Sequence, residues 1–168
     1  MSPELRQRLI KMKFELDPQA WHGGASESLW ASFVSNEGDC KTFRLENSPF
    51  HATGISYRDI VKARPTENAI LYDFKSVTAR GGHSTYMILA KEGQEVDSPS
   101  FRSYWDTLAQ LGCSYESTHM NYPTGSRLLL SVDVPPSADL SATYAILERG
   151  RETGLWLFQE GYAHLPDR

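Results

Sequence analysis

The sequence predicts an α+β protein in which a small antiparallel β-barrel-like sheet at the N-terminus packs on a C-terminal ferredoxin-like βαββαβ unit. Two observations support this prediction. The first half of the chain contains short stretches of alternating apolar and polar residues between polar turns, whereas the second half contains two helical patterns set between four strand patterns. Gly81 and Gly82 stand between the two halves. We therefore predict two modules, at residues 1–80 and 81–168.

Five short strands are expected in the first module, after a short N-terminal helix that Ser2 and Pro3 would begin. In the first strand pattern, Met12 and Phe14 alternate with charged residues, which is typical of a half-buried strand. Turn-forming residues at 36–39 predict a hairpin between the second and third strands. The five predicted strands are residues 11–17, 29–34, 41–46, 59–63 and 70–77.

Two helices are expected in the second module. Ser98 and Pro99 are expected to cap and begin the first helix, and Gly112 would end it, because these residue types favour those positions. Ser137 is expected to cap the second helix, which would continue to about Arg149. The apolar residues expected on the buried stripes are Phe101, Trp105, Leu108 and Leu111 in the first helix and Leu140, Tyr144 and Leu147 in the second.

Four predicted strands flank these helices, at residues 85–90, 113–120, 127–134 and 155–159. The order βαββαβ is that of the ferredoxin-like arrangement, in which two right-handed crossovers place both helices on one face of an antiparallel sheet. The other face of the sheet would then be covered by the first module or by a partner.

Composition and charge argue against several classes of function. Of the 168 residues, 40% are hydrophobic and 23% are charged, as in ordinary globular proteins. The 17 basic and 21 acidic residues give a net charge of -4, which does not favour a nucleic acid or an anionic membrane as the partner. No apolar run approaches the length of a membrane-spanning helix, and the charged N-terminus lacks the pattern of a signal peptide. We expect a cytoplasmic protein.

Several short motifs between about Lys11 and Gly161 point to a family. They are Leu29-Trp30-Ala31, Asn47-Ser48-Pro49-Phe50, Gly54-Ile55-Ser56-Tyr57-Arg58-Asp59-Ile60-Val61, Gly82-His83-Ser84-Thr85, Gly154-Leu155-Trp156 and Glu160-Gly161. In these motifs the chain resembles a bacterial family of uncharacterised proteins, domain of unknown function 4265. The resemblance implies a bacterial cytoplasmic protein of this length and no particular activity. Arg58 stands where the family is expected to have a glycine, so the turn there is expected to be tighter or differently shaped.

Tyr57, Asp59 and His83 are the candidate catalytic residues. A hydroxyl, a carboxylate and an imidazole could form an acid–base or nucleophile relay if the fold places them together. The alternative is structural. Asp59 would cap its own turn, Tyr57 would pack at a corner of the barrel, and His83 would bond to backbone across the junction between the modules. The sequence favours the structural alternative, since no fold analogy supplies a reaction.

Other chemistries lack their motifs. The five histidines are never three or four residues apart, and neither cysteine lies near a second ligand, so we expect no metal. No lysine follows the Gly81-Gly82 pair as it does in a phosphate-binding loop. The sequence also contains no Gly-x-Ser-x-Gly motif of serine hydrolases. We expect no cofactor.

These observations favour a protein-binding function, most concretely an immunity protein that neutralises a bacterial toxin by covering its active site. Acidic and aromatic side chains on turns and edges would face the basic cleft of such a toxin. One competing hypothesis is a small enzyme or ligand-binding module at the junction around Tyr57, Asp59 and His83. Another is a regulatory domain that binds a small molecule at the open sheet face. The expected partner-binding residues are Glu37, Asp39, Asp97, Glu116 and Tyr122.

Overall fold

The computed structural model describes residues 9–165, so the helix predicted at Ser2 and Pro3 lies outside the described residues. Within these residues the chain forms nine strands and two helices, arranged as two sheets that follow one another in sequence. The elements are β1 (Leu9–Glu15), β2 (Ser26–Glu37), β3 (Cys40–Leu45), β4 (Ile60–Pro65), β5 (Leu71–Ala79), β6 (Ser84–Ala90), α1 (Pro99–Gln110), β7 (Ser114–Tyr122), β8 (Gly125–Val134), α2 (Leu140–Glu152) and β9 (Trp156–Tyr162).

Strands β1 to β5 form a closed barrel in chain order. The β2–β3 hairpin turns through Gly38 and Asp39, because Glu37 pairs with Cys40, which confirms the hairpin expected from the sequence. Four neighbouring pairs are antiparallel, but β1 and β5 pair in parallel. The predicted antiparallel arrangement therefore holds between four strand pairs and does not hold between β1 and β5. Five strands that alternate in direction place the first and the last in the same direction, so closure between them has to be parallel.

The barrel interior is filled by the inward-facing residues of all five strands. Met12 and Phe14 of β1 are almost fully buried, as their alternation with charged residues predicts. Loop residues Ala52 and Ile55 close one end of the same cluster. The other buried members are Leu29, Ala31, Phe43, Leu45, Val61, Ala63 and Tyr72.

The second sheet has four strands in the order β7-β8-β6-β9, and each neighbouring pair is antiparallel. Helix α1 connects β6 to β7, and α2 connects β8 to β9. One sheet face packs against both helices in a second apolar core. That core includes Tyr86, Ile88, Leu128, Leu130 and Val132 from the strands and Phe101, Trp105, Leu108, Ile146 and Leu147 from the helices.

The bounds of α1 agree with the sequence, but the Ser98 side chain makes no capping bond to the helix and instead accepts the backbone N–H of Glu95. At α2 the capping residue itself differs from the prediction. Pro99 begins α1 after Ser98, and Gly112, with φ +97°, follows its end. Asp139, and not Ser137, caps α2, because the Asp139 carboxylate accepts the backbone N–H of Ala142. Ser137 stands too far from the first helical turn to make that bond.

The buried stripe of α2 also differs from the prediction. Tyr144 was expected in it, but its side chain is 44% exposed and its hydroxyl donates to Glu148. Ile146 and Gly150 occupy the buried face instead, and the indole of Trp156 packs directly on Gly150. Only glycine at position 150 lets the helix approach this ring.

The architecture agrees with the α+β class, as a closed five-stranded barrel followed by a sheet with two helices. The predicted boundary between residues 80 and 81 falls in the short connection between β5 and β6. Neither helix of the described residues is long and apolar enough to cross a membrane.

Candidate functional site

The barrel contacts the helix-free face of the second sheet mainly through the loop at residues 46–59, between β3 and β4. Ser131 Oγ donates to the carbonyl oxygen of Pro49 at 2.5 Å. Ser56 and Thr85 join their hydroxyl oxygens at 2.7 Å, and both side chains are fully buried. The backbone N–H of Gly54 donates to Gly161 of β9. Polar groups at this junction therefore hold the two sheets together.

Glu27 holds the same loop against the barrel. Its carboxylate accepts the backbone N–H groups of Phe50, His51 and Ala52 at 2.7, 3.2 and 2.9 Å. Bonds from several backbone N–H groups to one carboxylate are charge-assisted and rigid. This position was expected in a loop, but it belongs to β2, which begins earlier than the sequence predicts.

Asp59 is committed to the backbone of the junction. Its fully buried carboxylate accepts the N–H of Ser56 at 2.9 Å and the N–H of Gly81 at 2.9 Å. Arg80 Nη1 donates to the same carboxylate at 3.0 Å. Asp59 therefore caps its own turn, as the structural alternative expects, and it also anchors the segment that connects the two sheets.

Arg58 has a φ of +74°, in the left-handed region that glycine occupies most easily. This backbone conformation accounts for the glycine expected at this position from the family resemblance. The neighbouring Gly81 packs on the Arg58 backbone so closely that a Cβ at position 81 would lie 2.6 Å from the Arg58 carbonyl. The backbone at Arg58 and the backbone at Gly81 are therefore in close contact where these two segments meet.

His83 bonds to a side chain and not to backbone, which corrects the structural alternative for this residue. Its Nδ1 lies 2.8 and 3.1 Å from the two carboxylate oxygens of Asp133 on β8. The Tyr57 ring meets the His83 ring edge-on, with centroids 5.1 Å apart. The structure therefore brings Tyr57 and His83 together, while no hydrogen bond joins Asp59 to His83 in the described part of the chain.

A polar cleft of about 310 Å³ opens beside this group, between the barrel loop and strands β7 and β8. Three carboxylates line it, those of Glu46, Glu116 and Asp133. Ser32 donates to Glu46 at 2.6 Å, and Asp133 holds His83. The cleft is also lined by Asn47, Ser48, Tyr57, Ser114, Tyr115 and Ser131.

Desolvation raises the pKa of two cleft carboxyls, only partly so at Glu116, which stays exposed. Desolvation at the cleft wall raises the pKa of Glu116. Burial also raises the pKa of Asp133, against the opposing effect of His83. A cation placed between these two carboxylates would offset the desolvation cost of ionising each of them. The cleft is therefore suited to a positively charged group such as a lysine or arginine side chain.

The expected partner-binding residues do not form one patch. Glu116 lines the cleft. Glu37 and Asp39 lie at the β2–β3 turn of the barrel, where Lys62 approaches Glu37 at 3.9 Å. Asp97 precedes α1, and Tyr122 ends β7, where its hydroxyl contacts the sulfur of Met120.

Sequence reasoning missed Glu46 and Asp133 as cleft residues. Asp133 follows Ser131 on the polar face of an otherwise aliphatic strand, and this alternation is the one signal that could have singled it out. Its pairing with His83, 50 residues away, depends on the register of β6 against β8.

A second cavity, of about 260 Å³, lies at the other end of the junction and is lined by Trp21, His22 and His51. The two imidazole rings lie 4.8 Å apart, and the buried Nδ1 of His51 has no partner in the described residues. Burial lowers the pKa of His51, with Glu27 opposing this shift and His22 adding to it. No group of three or more potential metal ligands comes together among residues 9–165.

Comparison with known proteins gives a family and a fold. A family model described as "Domain of unknown function (DUF4265)" matches residues 27–158. A solved structure, "Novel crystal structure of a hypothetical protein from Neisseria gonorrhoeae", is similar with a TM-score of 0.64 and 14% sequence identity, over 94% of this chain and 96% of that chain. At this identity the likeness shows a shared fold. No match is found among curated proteins.

Proposed function

The chain belongs to the family of domain of unknown function 4265, whose description names no activity, and we propose from the site that the protein is an immunity protein, which neutralises a bacterial toxin by binding it directly. A basic side chain of the toxin would enter the cleft between the barrel and the second sheet. The partner is a protein and not a nucleic acid or a membrane, consistent with the net charge of -4.

The single observation that carries this proposal is the acidic cleft itself. Glu46, Glu116 and Asp133 face one space of about 310 Å³. No lysine or arginine of residues 9–165 forms an ion pair with Glu116. A basic side chain of a toxin that enters this cleft would pair with these carboxylates, and complementary charge of this kind raises the association rate and, for close pairs, the affinity.

Four further residues would extend the contact beyond the cleft. Asp97 and Tyr122 belong to the second unit, and Tyr122 ends the edge strand β7. Glu37 and Asp39 belong to the barrel hairpin. A toxin that contacts both groups would span the junction, and tyrosines at such positions are frequent anchors of protein interfaces.

Co-purification followed by toxicity rescue tests the proposal. The tagged protein is expressed in its native host, and stably bound proteins are identified by mass spectrometry. The product of the neighbouring gene is then expressed in a sensitive bacterium, with and without this protein. The proposal predicts a stable complex and restored growth. Absence of both a complex and rescue would rule it out.

A charge reversal locates the interface. Glu116→Lys places a cation in the cleft and should weaken toxin binding at least about tenfold, mostly through slower association at low salt. Glu67→Lys makes the same change of charge on the exposed β4–β5 turn and serves as the matched control. Equal effects of the two substitutions would show that only net charge matters and that the cleft is not the contact.

A second candidate function is a small enzyme or ligand-binding module at the same junction, using Tyr57, Asp59 and His83. The observation in its favour is that Tyr57 lines the cleft and contacts His83, whose Nδ1 is held by Asp133. A carboxylate that orients an imidazole is a common arrangement for acid–base chemistry. Asp59 would help to position His83, because it binds the backbone N–H of Gly81, two residues before His83.

Thermal-shift measurements separate the two candidates. A ligand-binding module should be stabilised by a small cation such as arginine or a polyamine, and Glu116→Gln should abolish that shift. An immunity protein should be stabilised by its toxin and should respond little to millimolar concentrations of these cations. Rescue without a small-molecule shift favours the immunity protein.

We also infer the fold type of the second module and the compartment of the protein. We assign the second unit to the ferredoxin-like βαββαβ arrangement, which the strand order β7-β8-β6-β9 and the helix positions support. We also assign the protein to the cytoplasm. The free thiols of Cys40 and Cys113 support this, because a reducing compartment keeps cysteines unpaired.

A further inference from the structure

The helix-free face of the second sheet carries an apolar pocket of about 210 Å³, which we call the sheet pocket. Met87 and Leu129 line it and are 2% and 0% exposed, so the core of the sheet forms its floor. Leu157 of the edge strand β9 is 56% exposed and forms part of its rim. The pocket shares no lining residue with the acidic cleft.

Trp21 forms the wall on the barrel side. Its indole N–H donates to Gln159 Oε1 at 2.6 Å, a bond that links the β1–β2 loop to β9 across 138 positions of sequence. The bond fixes the orientation of the Gln159 amide. Because the amide oxygen accepts from Trp21, the exposed Gln159 side chain can offer its amide N–H groups to another acceptor.

The lining restricts the chemistry of a ligand. Among the described residues no charged side chain lines the sheet pocket, so a charged molecule would lose its hydration without gaining an ion pair. An apolar cavity of about 150 Å³ in another protein is large enough for benzene. A pocket of about 210 Å³ therefore suits a substituted benzene ring or a small bicyclic ring.

From these features we infer that the sheet pocket binds a small, neutral, largely apolar molecule that places one hydrogen-bond acceptor against the side-chain amide of Gln159. The ring would lie on Met87 and Leu129 beside the Trp21 indole. This site is independent of the toxin-binding proposal, since the two sites use different residues and opposite ligand chemistry.

Methyl and side-chain amide NMR tests the inference with two probes of nearly the same shape. Acetophenone carries a carbonyl acceptor, and α-methylstyrene replaces that carbonyl by a CH₂ group. Acetophenone is expected to bind with a Kd of about 1 mM or tighter, as few-atom ligands do. It should shift the methyl signals of Met87, Leu89, Leu129 and Leu157 and the Gln159 amide signal. α-Methylstyrene should shift the methyl signals alone.

Matched variants keep the test independent of folding. Leu157→Glu brings a charge to the rim and should weaken acetophenone binding at least fivefold, whereas Ile70→Glu, at a site of similar exposure on the barrel, should not. Gln159→Leu should remove the difference between the two probes. Shifts that map to the barrel, or an absence of saturable shifts, would refute the inference. So would shifts of the same methyls with protein concentration alone, which would assign this face to a second copy of the chain.

Discussion

Replacement of Asp59 by asparagine tests whether this carboxylate holds the junction. Asp59 accepts two backbone N–H groups, from Ser56 and Gly81, and one guanidinium N–H from Arg80. Asparagine has one carbonyl oxygen where aspartate has two carboxylate oxygens. In Asp59→Asn, the new NH₂ group must therefore face a donor, either the Gly81 N–H or the Ser56 N–H together with Arg80.

The expected loss of stability follows from these contacts. One backbone N–H loses a charged acceptor and stays buried, which costs about 2 to 3 kcal/mol. The bond to Arg80 also weakens, but the Arg80 side chain is 33% exposed, so solvent screening limits this part to about 1 kcal/mol. Asp59→Asn should therefore lower the free energy of unfolding by about 3 kcal/mol.

Urea unfolding followed by tryptophan fluorescence measures this difference. With a slope of about 2 kcal/mol per molar urea, the midpoint should fall by about 1.5 M. Glu67→Gln makes the same chemical change at an exposed turn and should leave the midpoint unchanged. A loss below about 1 kcal/mol for Asp59→Asn would refute the reasoning, because it would mean that water or the new asparagine side chain replaces the lost bonds.

Three further substitutions probe the backbone, the packing and the titration of the molecule. Arg58→Gly removes the backbone strain of a non-glycine residue at φ +74°. It should stabilise the protein by about 0.5 to 1 kcal/mol in the same urea assay, since the left-handed strain exceeds the entropy cost of glycine. A loss of stability would contradict this. Gly150→Ala should destabilise by about 2 kcal/mol despite a helix-propensity gain of about 1 kcal/mol, because the new Cβ would meet the buried Trp156 ring; a net gain would show that the ring can move. The pKa of His51 is lowered in the fold, so the stability that neutral His51 contributes is present above its ordinary pKa of 6.5 and is lost as pH falls. His51→Phe should therefore flatten the decline in thermal midpoint from pH 7 to pH 5. An unchanged decline would show that His51 is not the titrating group.

Local patterns in the sequence were enough to predict most of the secondary structure. Alternation located the barrel strands, and the Ser98-Pro99 start and Gly112 end located α1. At α2 the sequence analysis named Ser137 as the cap, whereas Asp139 caps the helix. Serine and aspartate both favour the N-cap position, so residue type alone does not decide which of the two begins the helix.

Long-range features could not be predicted in the same way. The parallel seam between β1 and β5 follows from closure of the barrel, which no local pattern encodes. The contact of His83 with Asp133 depends on the strand register, and the cleft carboxylates come from β7, from β8 and from the loop that follows β3. Asp59 was the exception, because its bond to the N–H of Ser56, three residues earlier, is local and a capping role could be inferred from the sequence.

Hydrogen–deuterium exchange on the co-purified complex tests the central claim, that the cleft at the junction receives the partner. Exchange should slow in residues 46–57 and 114–118, the segments that contain most of the cleft-lining residues, on addition of the toxin. The outer face of the barrel around Trp30 should exchange as in the free protein. Slowing confined to the barrel face, with no change at the cleft, would contradict the account.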